Sequence, residues 1–327
     1  MHPELIKLPF FNWTIYSFGP MMVTGFIVAY FIMKHLSRNI SDNTQIITNI
    51  LIYSLIAGII GARAFYVIHH LSQFKGDFLS VFATWRGGLE FYGGVILAVP
   101  VIIIYLTYHK IPVRPYLDIL AIGIMAGLAF GRIGCFLNGC CFGKPTKLPI
   151  GVRFPYNSYA YNSQVNPNPK RNRPEPQLNL PRDYFFYMDE KGKGYLKPLD
   201  ELNAEQRYEV TKGKYRCLPV HPIQLYSSAN AAFLCFLLYL FWKRSINAKN
   251  KRRFLTAPGQ IFALVLILYG ITRFLIEYIR DDNHFEYAWW AIYKGGTVSQ
   301  NVSIYMIILG LVLLVLFQLR NHKKHAK

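Results

Sequence analysis

The sequence is poor in charge. Asp, Glu, Lys and Arg make up 16% of its 327 residues, against about 25% in an ordinary soluble domain. Acidic residues are the scarcest, 17 against 36 Lys and Arg, for a net charge of +19. With a mean hydropathy of +0.21, this composition excludes a disordered chain, a collagen, a coiled coil and an ordinary soluble enzyme. Cysteine is scarce too: five, at 135, 140, 141, 217 and 235. An odd count with an adjacent pair argues against a secreted disulfide framework. Met1–Thr14 lacks an apolar core led by positive charge and lacks a small-residue cleavage site, so no cleavable leader is expected.

Apolar and aromatic residues are plentiful. Hydrophobic residues reach 53% and aromatics 16%, as suits rings placed at lipid–water boundaries. A basic excess suggests nucleic acid or an anionic membrane surface. The apolar runs decide for the membrane, and no nucleic-acid partner is expected. A helix needs about 20 apolar residues to cross a hydrocarbon core of about 30 Å. Seven stretches qualify, at 16–36, 48–68, 89–108, 115–136, 224–241, 261–279 and 302–319. The expected fold is an all-α integral membrane protein of seven transmembrane helices.

Lys and Arg in short loops set the orientation. Fourteen fall at one set of ends (Lys34, Arg38, Lys110, Arg114, Lys243, Arg244, Lys249, Lys251, Arg252, Arg253, Arg320, Lys323, Lys324, Lys327). Five fall at the other: Lys7, Lys75, Arg86, Arg280 and Lys294. The first side is expected to be cytoplasmic, with the N-terminus outside and the C-terminus inside. Three units follow: 1–143 with helices one to four, an extracytoplasmic subdomain 144–220, and 221–327 with helices five to seven and a basic tail. The proline-spiked run 166–176 is expected to be a mobile stretch of the subdomain.

Polar residues that do not belong in lipid gather at the outer ends. They are Trp85-Arg86, Glu90 and Tyr92 on helix three; Arg132 and Asn138 on helix four; His221, Gln224 and Tyr226 on helix five; Arg273, Glu277 and Arg280 on helix six; and Ser299-Gln300-Asn301 on helix seven. Ionisable groups at membrane depth are expensive and point to function. Gly123 and Gly127 suit close helix packing. Beyond Gly131 the density of glycine suggests a non-helical turn. Gly143-Lys144 has the ending of a phosphate loop, but Asn138 stands where its first glycine belongs and Pro145 where Ser or Thr belongs. Cys135, Cys140 and Cys141 lack the Cys-x-x-Cys spacing of a zinc site, so they read as small apolar packing residues. No metal, nucleotide or other cofactor is expected.

Gly131-Arg132-Ile133-Gly134-x-Phe136-Leu137-Asn138-Gly139-x-x-Phe142-Gly143 resembles the signature of bacterial prolipoprotein diacylglyceryl transferases. The resemblance extends to Phe91-Tyr92-Gly93-Gly94, His221-Pro222-x-Gln224-Leu225-Tyr226 and Arg273-x-x-x-Glu277-x-x-Arg280. It covers nearly the whole chain. It implies an enzyme of the bacterial cytoplasmic membrane that moves the diacylglyceryl group of phosphatidylglycerol onto the lipobox cysteine thiol of a preprolipoprotein. A thioether forms and glycerol 1-phosphate leaves. The resemblance carries over Arg132, Asn138, Gly143, Tyr226, Arg273, Glu277 and Arg280. It also shows departures: Cys135 and Cys140 stand where many members carry Asn and Glu, Tyr92 where many carry His, and Phe18 where Tyr is frequent.

The chemistry fits these residues. The leaving phosphate gains negative charge, and planar guanidiniums hold it well. Arg132 and Arg273 are the expected clamp, with Arg280 a third donor and Glu277 orienting an arginine. Asn138, Gly143 and Tyr226 complete the phosphatidylglycerol site. Tyr92 or His221 takes the thiol proton. A transporter or channel for an anionic solute is the alternative. It would need polar residues through the inner half, where Asp118 stands, and internal repeats.

Overall fold

The computed structural model describes all residues except 1–3, 9–12, 75–77, 85–86, 170–172, 190–193, 249–254, 282–289 and 327. Trp85 and Arg86 therefore lie outside the described residues. So do Lys75, Lys249, Lys251, Arg252, Arg253 and Lys327 from the orientation count.

Among the described residues, ten α-helices carry the fold. Seven form a bundle: α1 (Phe18–Ser37), α2 (Gln45–His69), α3 (Phe91–Tyr108), α4 (Val113–Asn138), α8 (Ile223–Asn247), α9 (Gln260–Glu277) and α10 (Val298–Ala326). Three shorter ones, α5 (Tyr159–Val165), α6 (Arg182–Phe185) and α7 (Ala204–Thr211), lie between α4 and α8. Two antiparallel hairpins complete it, β1 (Glu4–Leu8) with β2 (Trp13–Tyr16) and β3 (Phe186–Met188) with β4 (Gly194–Leu196).

Every apolar run expected to span is helical. Six helices are long and apolar enough to cross a membrane, and α3 carries a shorter apolar stretch, Tyr92–Tyr108. Helix α8 runs on past the expected 241, through Lys243 and Arg244, to Asn247. The outward faces expose Phe31, Ile60, Ile104, Phe233, Leu311 and Val315. In water such a surface would aggregate; lipid covers it without cost. The chain is thus a polytopic helical membrane protein.

Helix α1 packs on α4, α4 on α8, α2 on α3 and α9 on α10. Met33, Ile47, Ile50, Leu106, Ile119, Ile122, Leu234 and Leu238 fill the centre. In lipid, apolar surface gains nothing by leaving its solvent, so close backbone approach matters more. Helices α2 and α3 touch this way, for a Cβ on Gly61 would lie 2.4 Å from the carbonyl oxygen of Gly93.

The glycines after Gly131 do not break the chain as expected. Helix α4 stays regular through Asn138, and only Gly139 adopts the left-handed conformation, at φ +76°. Its N–H reaches Phe136 O at 3.2 Å and the Cys140 N–H reaches Cys135 O at 3.2 Å. That is a Schellman cap, so the earlier glycines serve packing while Gly139 ends the helix.

Segment 144–220 builds a second core from Phe154, Tyr161, Leu178, Leu180, Phe185, Phe186, Leu202 and Val220. The described part of its proline-spiked run is anchored rather than free. Arg173 donates to Asp281 Oδ2 at 2.8 Å and to Ser163 Oγ at 3.0 Å.

Asp118 is spent on structure. Its two oxygens accept the Gly259 N–H at 2.7 Å and the Phe262 N–H at 2.8 Å, satisfying the otherwise unpaired N-terminus of α9. A cavity of about 630 Å³ opens beside it at that end of the bundle, lined also by Arg114, Trp242 and Arg320. Asp118→Ala leaves buried N–H groups unpaired, which costs about 1–3 kcal/mol each. A lowered melting temperature in detergent, with normal turnover in the folded fraction, is the expected outcome.

Candidate active site

The end of the bundle away from Asp118 is tied together by a strip of extended backbone, Phe142 to Lys144, that follows the α4 cap. On one side the Gly143 N–H reaches His221 O at 3.0 Å, and the His221 N–H reaches Lys144 O at 3.1 Å. On the other the Lys144 N–H reaches Ile279 O at 2.8 Å, and the Asp281 N–H reaches Phe142 O at 3.3 Å. The exit of α4, the entry of α8 and the exit of α9 are therefore held in register. Gly143 is the narrow point: a Cβ there would lie 2.7 Å from His221 Cβ and 2.8 Å from His221 O. Gly143→Ala must part the strip from His221, and we expect both melting temperature and transfer activity to fall in the same purified variant.

Two guanidiniums share one carboxylate beside this strip, and a third lies within electrostatic reach of them. Arg273 Nη1 lies 2.5 Å from Glu277 Oε2, one turn along α9, and Arg273 Nη2 donates to Ser299 Oγ at 2.8 Å. Arg280 Nε stands 3.6 Å from the same Glu277 oxygen. Helix α9 stops at Glu277, so Arg280 lies beyond the helix on which the sequence placed it. It bridges to Gly143 as the partner strand of the strip. The other Glu277 oxygen accepts the Thr297 hydroxyl at 2.9 Å. Glu277 and Arg280 are buried, 4% and 5% exposed. Arg132, half-buried on α4, is within electrostatic reach of Arg280, Tyr269, Cys141 and Cys135.

The remaining expected site residues surround this group. Tyr92, at the start of α3 and 48% exposed, is within electrostatic reach of Arg273, Glu277 and Tyr269. His221 Nδ1 faces the Tyr226 hydroxyl at 3.3 Å. Asn138 is the last residue of α4, half-buried. Gln224, fully buried, donates to Cys140 O at 2.6 Å.

The fold changes the reading of the cysteines. The Schellman turn brings Cys140 back over Cys135, and the Sγ atoms of Cys135, Cys140 and Cys141 all lie within 4.8 Å of one another. Linear spacing could not reveal this. Cys217 is different: it is buried in the subdomain core, donates to Gln164 Oε1 at 3.5 Å, and burial pushes its thiol up to about 11.

Three further residues, assigned no role from sequence, shape this region. Tyr269 stands four before Arg273 on the same face of α9, a spacing that was available to find it. Thr297 caps α10 with Gln300 in a reciprocal box, Thr297 N to Gln300 Oε1 at 3.0 Å and Gln300 N to Thr297 Oγ1 at 3.2 Å. Arg63, buried on α2, donates to the carbonyls of Ser80, Val81, Gly87 and Gly88 at 2.6–3.0 Å. It organises the loop before α3, and Glu90 there takes His69 Nδ1 at 2.7 Å.

The family pattern of prolipoprotein diacylglyceryl transferase matches residues 3–316. A phosphatidylglycerol–prolipoprotein diacylglyceryl transferase of Clostridium tetani is 26% identical over 95% of this chain and 96% of its own length. Those of Finegoldia magna and Streptococcus uberis are 28% identical over 99% of this chain and 100% of their own, and 30% over 92% and 90%. A match of this length, with the signature residues gathered at one end of the bundle, means that the chain belongs to the prolipoprotein diacylglyceryl transferase family.

Proposed function

We propose that Arg132, Arg273 and Arg280, gathered around Glu277, hold the phosphate of phosphatidylglycerol while its diacylglyceryl group moves to a prolipoprotein cysteine. The activity is that of the family, and phosphatidylglycerol is the donor in its relatives' names. The observation that carries the site is the clustering of guanidiniums at membrane depth. Among the described residues, Arg273 and Arg280 approach the Glu277 carboxylate, and Arg132 lies within electrostatic reach of Arg280. Arginines gathered in this way suit an anionic ligand.

The substrate thiol attacks the glycerol carbon that bears the phosphate ester. The carbon–oxygen bond breaks, its electron pair stays on the phosphate oxygen, and glycerol 1-phosphate departs. Fixed guanidiniums in a water-poor site stabilise that growing charge. Glu277 is a positioning residue, holding Arg273 and Arg280 while Thr297 steadies its other oxygen. Tyr226, Asn138 and Gly143 border the donor's headgroup. Tyr92 and His221 are the side chains able to accept the thiol proton. We read seven spans, the 144–220 subdomain outside, and a site facing the outer leaflet. The fourteen-to-five bias of Lys and Arg supports that orientation.

Replacing Arg by Lys keeps charge and removes the planar fork. Arg132→Lys and Arg273→Lys are expected to lower turnover by roughly a hundredfold with little change in donor binding, as for loss of a transition-state donor. Glu277→Gln should be milder. Transfer kinetics and melting temperature on the same detergent-purified variants decide: full activity in a stable Arg132→Ala protein removes Arg132 from the site. A reporter inserted near Asn168 should be active only outside, and one after Lys327 only inside; the reverse pattern overturns the outer-leaflet reading.

A further inference from the structure

We propose that Cys135, Cys140 and Cys141 form a zinc site whose open fourth position takes the lipobox cysteine and delivers it as the attacking thiolate. This rests on reading the neighbouring arginines as the phosphate site.

Three independent features build the sulfur site. Each thiol is only partly buried, so a fourth ligand has access. Zinc–sulfur bonds of about 2.3 Å in a tetrahedron set sulfurs about 3.8 Å apart, and the three Sγ atoms already lie within 4.8 Å. The backbone is committed to this arrangement. The Schellman turn stacks Cys140 on Cys135, Gln224 grips the Cys140 carbonyl at 2.6 Å, and Cys141 is held at φ +58°. A non-glycine residue keeps that left-handed conformation only where its surroundings impose it, and such residues cluster at functional sites.

The donor chemistry selects the metal and its task. An all-sulfur set favours zinc among common divalent ions, and three protein ligands with one open position is the catalytic pattern. Three thiolates around Zn²⁺ carry one net negative charge, and a fourth makes it two. Arg132 and Arg280 are placed to offset that charge, being within electrostatic reach of Cys141.

The site also answers a need. A free thiol near pKa 8.5 is only about 3% thiolate at pH 7. Glu277 is held by Arg273, Arg280 and Thr297, and His221 Nδ1 faces Tyr226, so a metal would relieve Tyr92 and His221 of the proton transfer. A metal-bound thiol is deprotonated outright. On binding, the lipobox thiol displaces water from zinc and its proton passes to solvent. The sulfur lone pair then forms the S–C bond as the C–O bond breaks toward the phosphate. The neutral thioether leaves zinc, and water returns.

The test uses the full chain purified in detergent without chelators. About one zinc per chain is expected by mass spectrometry. Most of it should be lost in Cys135→Ser, Cys140→Ser and Cys141→Ser, and none in Cys235→Ser. In the cobalt-substituted protein, thiolate-to-metal absorption should grow by about a third when a lipobox peptide is added, as three sulfurs become four. A peptide with Ser in place of Cys should leave it unchanged. Removing metal from the wild-type protein should lower transfer about 30-fold at pH 7, the thiolate deficit given above, and make it rise steeply toward pH 8.5; zinc should restore it. This arm needs no variant, so misfolding of a Ser variant does not blunt it. Full activity in metal-free protein overturns the proposal. So does a bound metal whose cobalt spectrum ignores the peptide, since that metal is structural only. Arg132→Lys should keep both zinc and the peptide-induced absorption while losing transfer. Retained transfer in that variant refutes the phosphate reading and leaves the metal result standing.

Discussion

Guanidiniums held away from water set the terms for the end of this bundle opposite Asp118. Arg273 and Arg280 share the buried carboxylate of Glu277, and each group there needs a partner fixed in place. The partners come from different segments: Ser299 and Thr297 at the start of α10, and Gly143 beyond α4, which pairs with Arg280 through backbone. The cluster is therefore possible only if three chain segments arrive together. The extended strip from Phe142 to Lys144 brings two of them into register, and the capping box of Thr297 and Gln300 sets the third. At its other end α9 is held by Asp118. A helix fixed at both termini can present Arg273 at a constant depth, which a charge-stabilising site requires.

Two solvents shape the molecule on either side of that cluster. The bundle packs in lipid, where close contact of small residues such as Gly61 and Gly93 holds helices together. The segment from Phe142 to Val220 buries Tyr161, Phe185 and Leu202 as a water-soluble domain would, at about 25 cal/mol per Å² of apolar surface removed from water. Phe142 belongs to this second core and adjoins Gly143, so the site lies where the two packing regimes meet.

Local pattern and long-range contact divide what the sequence discloses from what it conceals. The apolar helices follow from run length: all seven runs are helical, and six of these helices are long and apolar enough to cross a membrane. Arg132, Arg273 and Glu277 were legible because charge is rare in such runs. Arg280 was legible as a residue but not in its place, since α9 ends before it and its backbone pairing opposite Gly143 spans more than a hundred residues. Arg173 and Asp281 form a pair for which no local spacing prepares. The glycine-rich stretch after Gly131 misled because glycine density marks both helix packing and chain breaks; of its glycines only Gly139 needed a left-handed backbone. The cysteines were hidden most completely. Cys135 and Cys140 are five apart, and only the six-to-one bond of the Schellman cap brings them face to face.

That same cap bears on the geometry of the reaction. In a displacement at a tetrahedral carbon, the nucleophile enters opposite the leaving oxygen, so sulfur and phosphate must be held on two sides of one small atom. Arg132 and Cys135 are three residues apart on α4, and side chains so spaced are neighbours about 5–6 Å apart at Cβ. In the proposed site Arg132 serves the phosphate and Cys135 the sulfur cluster from adjacent turns of one rigid helix, while Arg273 and Arg280 would reach the same phosphate from α9 and the strip beyond it. Proximity effects are steep enough that 1 Å costs about a hundredfold, so an Arg132–Cys135 separation set by helix geometry rather than by bundle packing fixes one phosphate donor against the sulfur cluster.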